Sequence, residues 1–158
     1  MSLQSELEVS LATILKAEPS LQIVKTIEAD VRECLFADAS QLIGGFRDSE
    51  LPAINLSGQL DPTVSNPFTA GEIQADVPFS IVIVTKAQNR TDARSRLKQL
   101  QDGVEKVLNS LRRSGNALGQ NALVMGDISS SAQTFQSNPY CFAVGTTAVK
   151  IKKITATP

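Results

Sequence analysis

Two aspartates and a run of three serines are the residues of this chain whose types and spacing could support catalysis. Asp76 opens one predicted strand and Asp127 follows another, and such a carboxylate pair suits metal binding or acid–base chemistry. The serines at 129–131 offer hydroxyl nucleophiles, but the chain has no histidine, and none of the three has a lysine three positions later. Neither aspartate has a third acidic residue at ligand spacing or a basic partner. We therefore interpret the aspartates as turn and solvated edge residues, and the serines as a bulge or a strand end.

The absence of histidine excludes the commonest general base, every Ser/His/Asp or Cys/His arrangement and the zinc sites that need imidazole. Cys34 and Cys141 lie far apart and form no Cys-x-x-Cys motif, so we predict small buried apolar residues and no redox pair. Gly44 and Gly45 lack the strand-to-helix context of a dinucleotide fingerprint, and no P-loop motif occurs. We expect no catalytic residue, no cofactor and no metal.

Length and charge limit the class of protein further. The chain has 158 residues and a formal net charge of −1, which predicts one domain without the electrostatic footprint of a nucleic-acid or anionic-membrane binder. The first residues lack the basic and apolar regions of a signal peptide, and no apolar run is long enough for a membrane span. We expect a soluble protein of a reducing cytoplasm.

Three basic residues are spaced so that they would form a ridge along one helix. Arg90, Arg94 and Lys98 follow each other at i,i+4 intervals and would suit a phosphate or an acidic neighbour. Interleaved acidic residues at 92, 102 and 105 favour the alternative of an ordinary solvated helix face. Aromatic residues make up only 4% of the chain, which argues against a stacking platform for single-stranded nucleic acid.

Hydrophobic periodicity predicts the elements that would position these residues. Leucines and an isoleucine at helical spacing predict a helix over residues 3–17, and a second leucine–valine stripe predicts a long helix over 91–113. Apolar and β-branched runs predict strands over 51–56, 73–86, 122–135 and 140–152, the last ending in an alternation typical of an exposed sheet edge. Residues 21–28 favour a strand, although a helix stays open through 36, and a short helix is predicted over 41–43.

The element order predicts a single α+β domain of two layers over residues 1–158, with a mixed, mostly antiparallel sheet and the long helix packed on one face. Gly, Pro, Asn and Asp residues predict a long exposed loop over 57–71. The apolar side chains of Leu60, Val64 and Phe68 in this loop are candidate contacts for a partner protein, as are the basic residues at 90, 94 and 98.

The strand start Leu51-Pro52-Ala53-Ile54-Asn55-Leu56, the following strand over 77–85, the helix over 97–111 and the closing strand over 140–151 together resemble a known family. The chain is similar, over residues 3–153, to the small tail-terminator or tail-completion proteins of long-tailed bacteriophages, particularly Mu-like phages and prophages. The resemblance lies in the order of helices and strands and includes no chemical signature. The region 29–50 departs from it, being longer and less clearly patterned.

The resemblance implies a non-enzymatic protein that forms a ring, commonly a hexamer, at the head-proximal end of the tail. Such a ring ends polymerisation of the tail tube and joins the tail to the head, so its partners are further copies of the chain, the tail tube and head–tail connector proteins. It implies assembly in the bacterial host cytoplasm and residence in the virion tail, without a membrane or direct nucleic-acid contact. The alternatives are a stand-alone α+β binding module for a peptide or small ligand, and an enzyme using the aspartates or serines named above.

Overall fold

The computed structural model describes residues 3–29, 51–58, 63–65, 72–114, 122–137 and 140–156. Two helices, α1 (Leu3–Ala17) and α2 (Arg90–Ser114), occur in these residues, and a single 3-10 turn, Pro19–Leu21, follows α1. The strands are β1 (Thr26–Ala29), β2 (Ala53–Gly58), β3 (Thr63–Ser65), β4 (Glu72–Ala87), β5 (Ala122–Ser137) and β6 (Tyr140–Ala156).

The described strands form one sheet in the order β1-β2-β4-β6-β5, with β3 paired to β4 beyond the end of β2. Only β1 and β2 run parallel, and every other pair is antiparallel. The helices pack on one face of this sheet. The predicted α+β class, with a mixed, mostly antiparallel sheet and a long helix on it, is confirmed.

The centre of the sheet is β4, which lies between β2 and β6. Ile81 and Ile83 point to the helices and belong to the main hydrophobic core, whereas Val82 and Val84 belong to a second cluster on the opposite face. All four are buried, which confirms the prediction of a strand covered on both faces.

Each helix buries one stripe of apolar side chains. In α1, Leu7, Leu11 and Leu15 recur at i,i+4 spacing, are fully buried and face β1 and β2. The stripe of α2 covers β4, β6 and β5 and consists of Ala93, Leu97, Leu100, Val104, Val107, Leu108 and Leu111. The two predicted helices are confirmed, the second one residue longer at each end.

The start of α2 is fixed by a reciprocal cap. Asn89 Oδ1 accepts a hydrogen bond from the Asp92 backbone N–H at 2.8 Å, and Asn89 Nδ2 donates to Asp92 Oδ2 at 3.0 Å. Thr85 of β4 then joins the sheet to this first turn, because its buried hydroxyl donates to the Ala93 carbonyl at 3.0 Å. The basic residues at the start of α2 therefore rest on a well-anchored turn.

The structure differs from the sequence prediction in two segments before β4. Residues 21–28 are a strand only from Thr26, since Leu21 closes the 3-10 turn. The predicted loop over 57–71 contains the end of β2 and the whole of β3, which pairs Val64 with Ala75 because β4 extends beyond β2 and its backbone groups need partners. The predicted helix over 41–43 and Cys34 lie outside the described residues.

The alternating end of the last strand was also misinterpreted as a sheet edge. β6 lies between β4 and β5, and Lys150 and Lys152 alternate with buried Val149 and Ile151 because the face of β6 opposite the helices is solvated at this end of the strand. Among the described strands, the edge on this side of the sheet is β5.

Candidate functional site

β5 is a long strand that pairs only with β6 among the described residues, so its other edge carries no described strand. Side chains at 127, 129–133 and 136 are exposed. Edge strands are commonly protected from pairing with another chain by lysine, proline or inward-pointing charge. Over its 16 residues β5 contains no proline or lysine and a single charge, Asp127. Among the described residues nothing pairs with this edge, which leaves it open to an added strand.

A bulge near the start of β5 sets which side chains face α2. Met125 pairs with Lys150 and Ser129 with Ala148, so three residues of β5 oppose the single residue Val149. The insertion of two extra residues keeps the alternation of faces, and Asp127 lies exposed within the bulge. The even-numbered side chains from Ser130 to Gln136 consequently point to the same face as α2.

A groove of about 640 Å³ runs between α2 and β5. Its helix wall includes Arg90, Arg94, Lys98 and Gln101, and Ala132 lies on its β5 side. A smaller recess of about 170 Å³ is lined by the residues Arg90, Thr134, Gln136 and Cys141. Cys141, predicted to be buried, is only partly so and borders this recess.

Beside the groove, α2 sits closely against β6. At Gly145 of β6 a Cβ atom would clash with Gln101 Nε2 and would lie 2.9 Å from Leu97 Cδ1. Gln101 Nε2 donates to the Ser131 carbonyl at 3.0 Å. The glycine thus permits the close approach, and the amide of Gln101 connects α2 to the exposed strand.

A second polar link joins α2 to the sheet at the other end of the groove. Ser130 Oγ donates to Glu105 Oε1 at 2.7 Å and lies 3.0 Å from the buried Thr147 Oγ1. The serine hydroxyl is therefore bonded to a carboxylate and to a threonine, and no lysine is bonded to it. We interpret Ser130 as a connection between α2, β5 and β6.

We expect Ser130→Ala to lower the free energy of unfolding by about 1 kcal/mol, because Glu105 loses its hydroxyl donor and Thr147 its neighbour. Ser129→Ala is the matched control, since Ser129 is exposed one position away and should change stability by less than about 0.5 kcal/mol. Urea unfolding of the two variants measures the difference. Equal stabilities would show that the Ser130 link does not hold the helix.

The structure brings part of the predicted site together. Arg90, Arg94 and Lys98 are exposed and line one wall of the groove, as a ridge. Val64 lies in β3, whereas Leu60 and Phe68 lie outside the described residues.

The two candidate carboxylates are not brought together. Asp76 is on β4, where its Oδ1 lies 4.0 Å from Lys152 Nζ, and Asp127 is on β5 with β6 between the two strands. Two strand spacings amount to about 10 Å, too far for a shared metal ion. Among the described residues, no group of three or more histidine, cysteine, aspartate or glutamate side chains is placed to hold a metal.

Sequence reasoning missed the β5 side of the groove. The signal was the uncharged run over 128–137, which was interpreted only as an uneven strand. Gln101 and Ala132 carry no chemical signature, and their role depends on where α2 meets β5.

No family model matches the chain, and no curated protein shows significant similarity to it. None of the helices in the described parts of the chain is both long and apolar enough to cross a membrane.

Proposed function

We propose that this chain is a non-enzymatic structural protein of a phage or prophage tail. In this proposal it forms a ring, commonly a hexamer, at the head-proximal end of the tail, stops polymerisation of the tube and joins the tail to the head. The order of helices and strands supports it, since that order resembles the order expected of small tail-terminator proteins. Its partners are further copies of itself, the tail tube and connector proteins.

The observation that carries the proposal is the edge of β5 from 129 to 137, which lies beyond the bulge, carries no proline or charge and has no second partner strand among the described residues. A terminator must hold another chain at a defined place, and an exposed strand edge offers a row of backbone donors and acceptors for this purpose. The exposed edge lies beside a groove lined by charged side chains. These charges would fix the orientation of a partner chain that binds there.

The ring part of the proposal is tested by the solution mass. Light scattering coupled to size exclusion, over a wide concentration range, is expected to show a species approaching six times 16.9 kDa as concentration rises. Head-to-tail contacts that close into a ring stop at a fixed mass. A mass of 16.9 kDa at every concentration contradicts self-assembly of the free protein, and a mass rising without limit contradicts closure.

The groove favours a second candidate, a stand-alone binding module. A volume of about 640 Å³ lies within the range of small-ligand sites, and the three exposed cations on one wall would suit a ligand that carries negative charge. A strict monomer that binds a small anionic ligand would favour this candidate over the ring.

A further inference from the structure

We propose that β5 and the basic ridge together receive an extended segment of another protein that carries acidic side chains at alternate positions. The ridge is defined by Arg90, Arg94 and Lys98. The segment adds to the free edge of β5 as a further strand, and its acidic side chains contact the ridge. The inference rests on the proposed function, because it specifies what a tail or connector partner must present.

The first argument is the parallel course of helix and strand. Arg90 shares a recess with Thr134 and Gln136, and Glu105 is bonded to Ser130. The fifteen steps from residue 90 to residue 105 of the helix advance about 22 Å, and the six steps from residue 130 to residue 136 of the strand advance about 20 Å. This part of α2 therefore runs alongside β5 from 130 to 136 in the opposite chain direction, and the ridge lies toward the 136 end.

The second argument is the match of spacings. Residues four apart on a helix are about 6 Å apart along its axis, and alternate residues on a strand are about 6.7 Å apart. A strand beside β5 would direct every second side chain to the face that carries α2. Three such side chains would stand opposite Arg90, Arg94 and Lys98 in turn.

The third argument is charge. Within the described residues, the side chains of Arg90, Arg94 and Lys98 take part in no ion pair or hydrogen bond. Other cations of α2 are engaged: Arg96 donates to the Lys86 carbonyl at 2.8 Å, and Lys106 Nζ lies 3.8 Å from Glu18 Oε1. The ridge is thus the part of α2 where positive charge faces the groove uncompensated, and an acidic partner would neutralise it.

The acidic end of the groove limits where the segment lies. Asp102 and Glu105 follow the ridge on the same wall, toward the bulge of β5. Acidic partner side chains are repelled there, so they must stand opposite 132–136 and not opposite 130. Positive charge at one end of this wall and negative charge at the other end therefore fix the register of the added strand.

The test uses synthetic peptides of seven residues and measures binding to the full chain by fluorescence anisotropy. The probe is Thr-Glu-Val-Glu-Val-Glu-Thr, with Thr-Gln-Val-Gln-Val-Gln-Thr and the reordered Thr-Val-Val-Glu-Glu-Glu-Thr as controls. We expect the probe to bind at least about tenfold more tightly than either control and to weaken as salt is raised. Equal binding of the probe and the reordered peptide would overturn the alternate spacing.

Charge reversal on the protein tests the ridge. The double variant Arg94→Glu, Lys98→Glu is expected to bind the probe at least about tenfold more weakly than the wild type. It should instead bind a peptide in which lysines replace the three glutamates of the probe. Lys150→Glu is the matched control, since Lys150 is exposed on the opposite face of the sheet. Circular dichroism of both variants establishes that they fold. The control changes the net charge half as much, so a loss of binding free energy in Lys150→Glu half as large as in the double variant would show that only net charge matters and would overturn the ridge.

Strand addition is tested by N-methylation of the peptide, which removes backbone donors without changing charge. In an extended peptide the backbone N–H groups of the glutamates point to one edge and those of the valines to the other. Methylation of the set that faces β5 should therefore abolish binding, and methylation of the other set should not. Binding that survives both sets would overturn strand addition.

The mass of the charge-reversal variant separates this inference from the proposed function. A wild-type mass for this variant, with lost peptide binding, supports the inference and leaves the ring intact. A change of mass without a change in peptide affinity would show that the ridge contacts a second copy, which overturns the inference and not the ring.

Discussion

Replacing Leu11 by alanine is expected to lower the free energy of unfolding by about 2–5 kcal/mol. Leu11 is fully buried at the centre of the α1 stripe, in the core that also contains Ile54 and Leu56 of β2. Truncation removes apolar contact and leaves a cavity that a helix fixed by Leu7 and Leu15 cannot fill. Chemical denaturation measures the loss.

Val9→Ala is the matched control on the same helix, because Val9 is 51% exposed. It should change stability by less than about 0.5 kcal/mol. If Leu11→Ala were as stable as this control, α1 would not be part of the core.

Gly145→Ala is expected to lower the free energy of unfolding by about 1–3 kcal/mol. The new methyl group would enter the space of Gln101 Nε2 and of Leu97 Cδ1, and both side chains lie between α2 and the sheet. Displacing Gln101 also breaks its hydrogen bond to the Ser131 carbonyl.

A double-mutant cycle with Gln101→Ala separates these causes. In the Gln101→Ala background the amide is already gone, so Gly145→Ala should cost less there than in the wild type, with a coupling of about 0.5 kcal/mol or more. Strict additivity would mean that α2 does not approach β6 at this glycine.

The regular parts of the fold could be predicted from the sequence because one local pattern determines each of them. The buried side chains of α1 and α2 recur at the helical period, and those of β4 form one continuous apolar run. The predicted bounds 3–17, 91–113 and 73–86 are therefore close to the observed ones. The departures arise where pairing partners decide the structure. β3 forms because β4 extends past β2, and β6 is internal because β5 covers it.

The candidate site was half predictable for the same reason. The i,i+4 spacing of Arg90, Arg94 and Lys98 predicts that the three side chains lie along one face of a helix, but it does not predict what packs beside that face. The groove beside it depends on Gly145, which lets α2 approach β6, and on the free edge of β5. These are properties of packed elements and leave no periodic signal.

The most direct test of the central claim is the growth of tail tubes in the presence of this protein. Under the proposal, tubes polymerised from the tail-tube subunit that this chain caps should stop growing when the protein is added, and electron microscopy should show the protein at one tube end only. A ring that caps an end requires one contact surface for its neighbours and another for the tube. Tubes that lengthen unchanged at saturating protein, with no density added at either end, would contradict the proposal that this chain terminates tails.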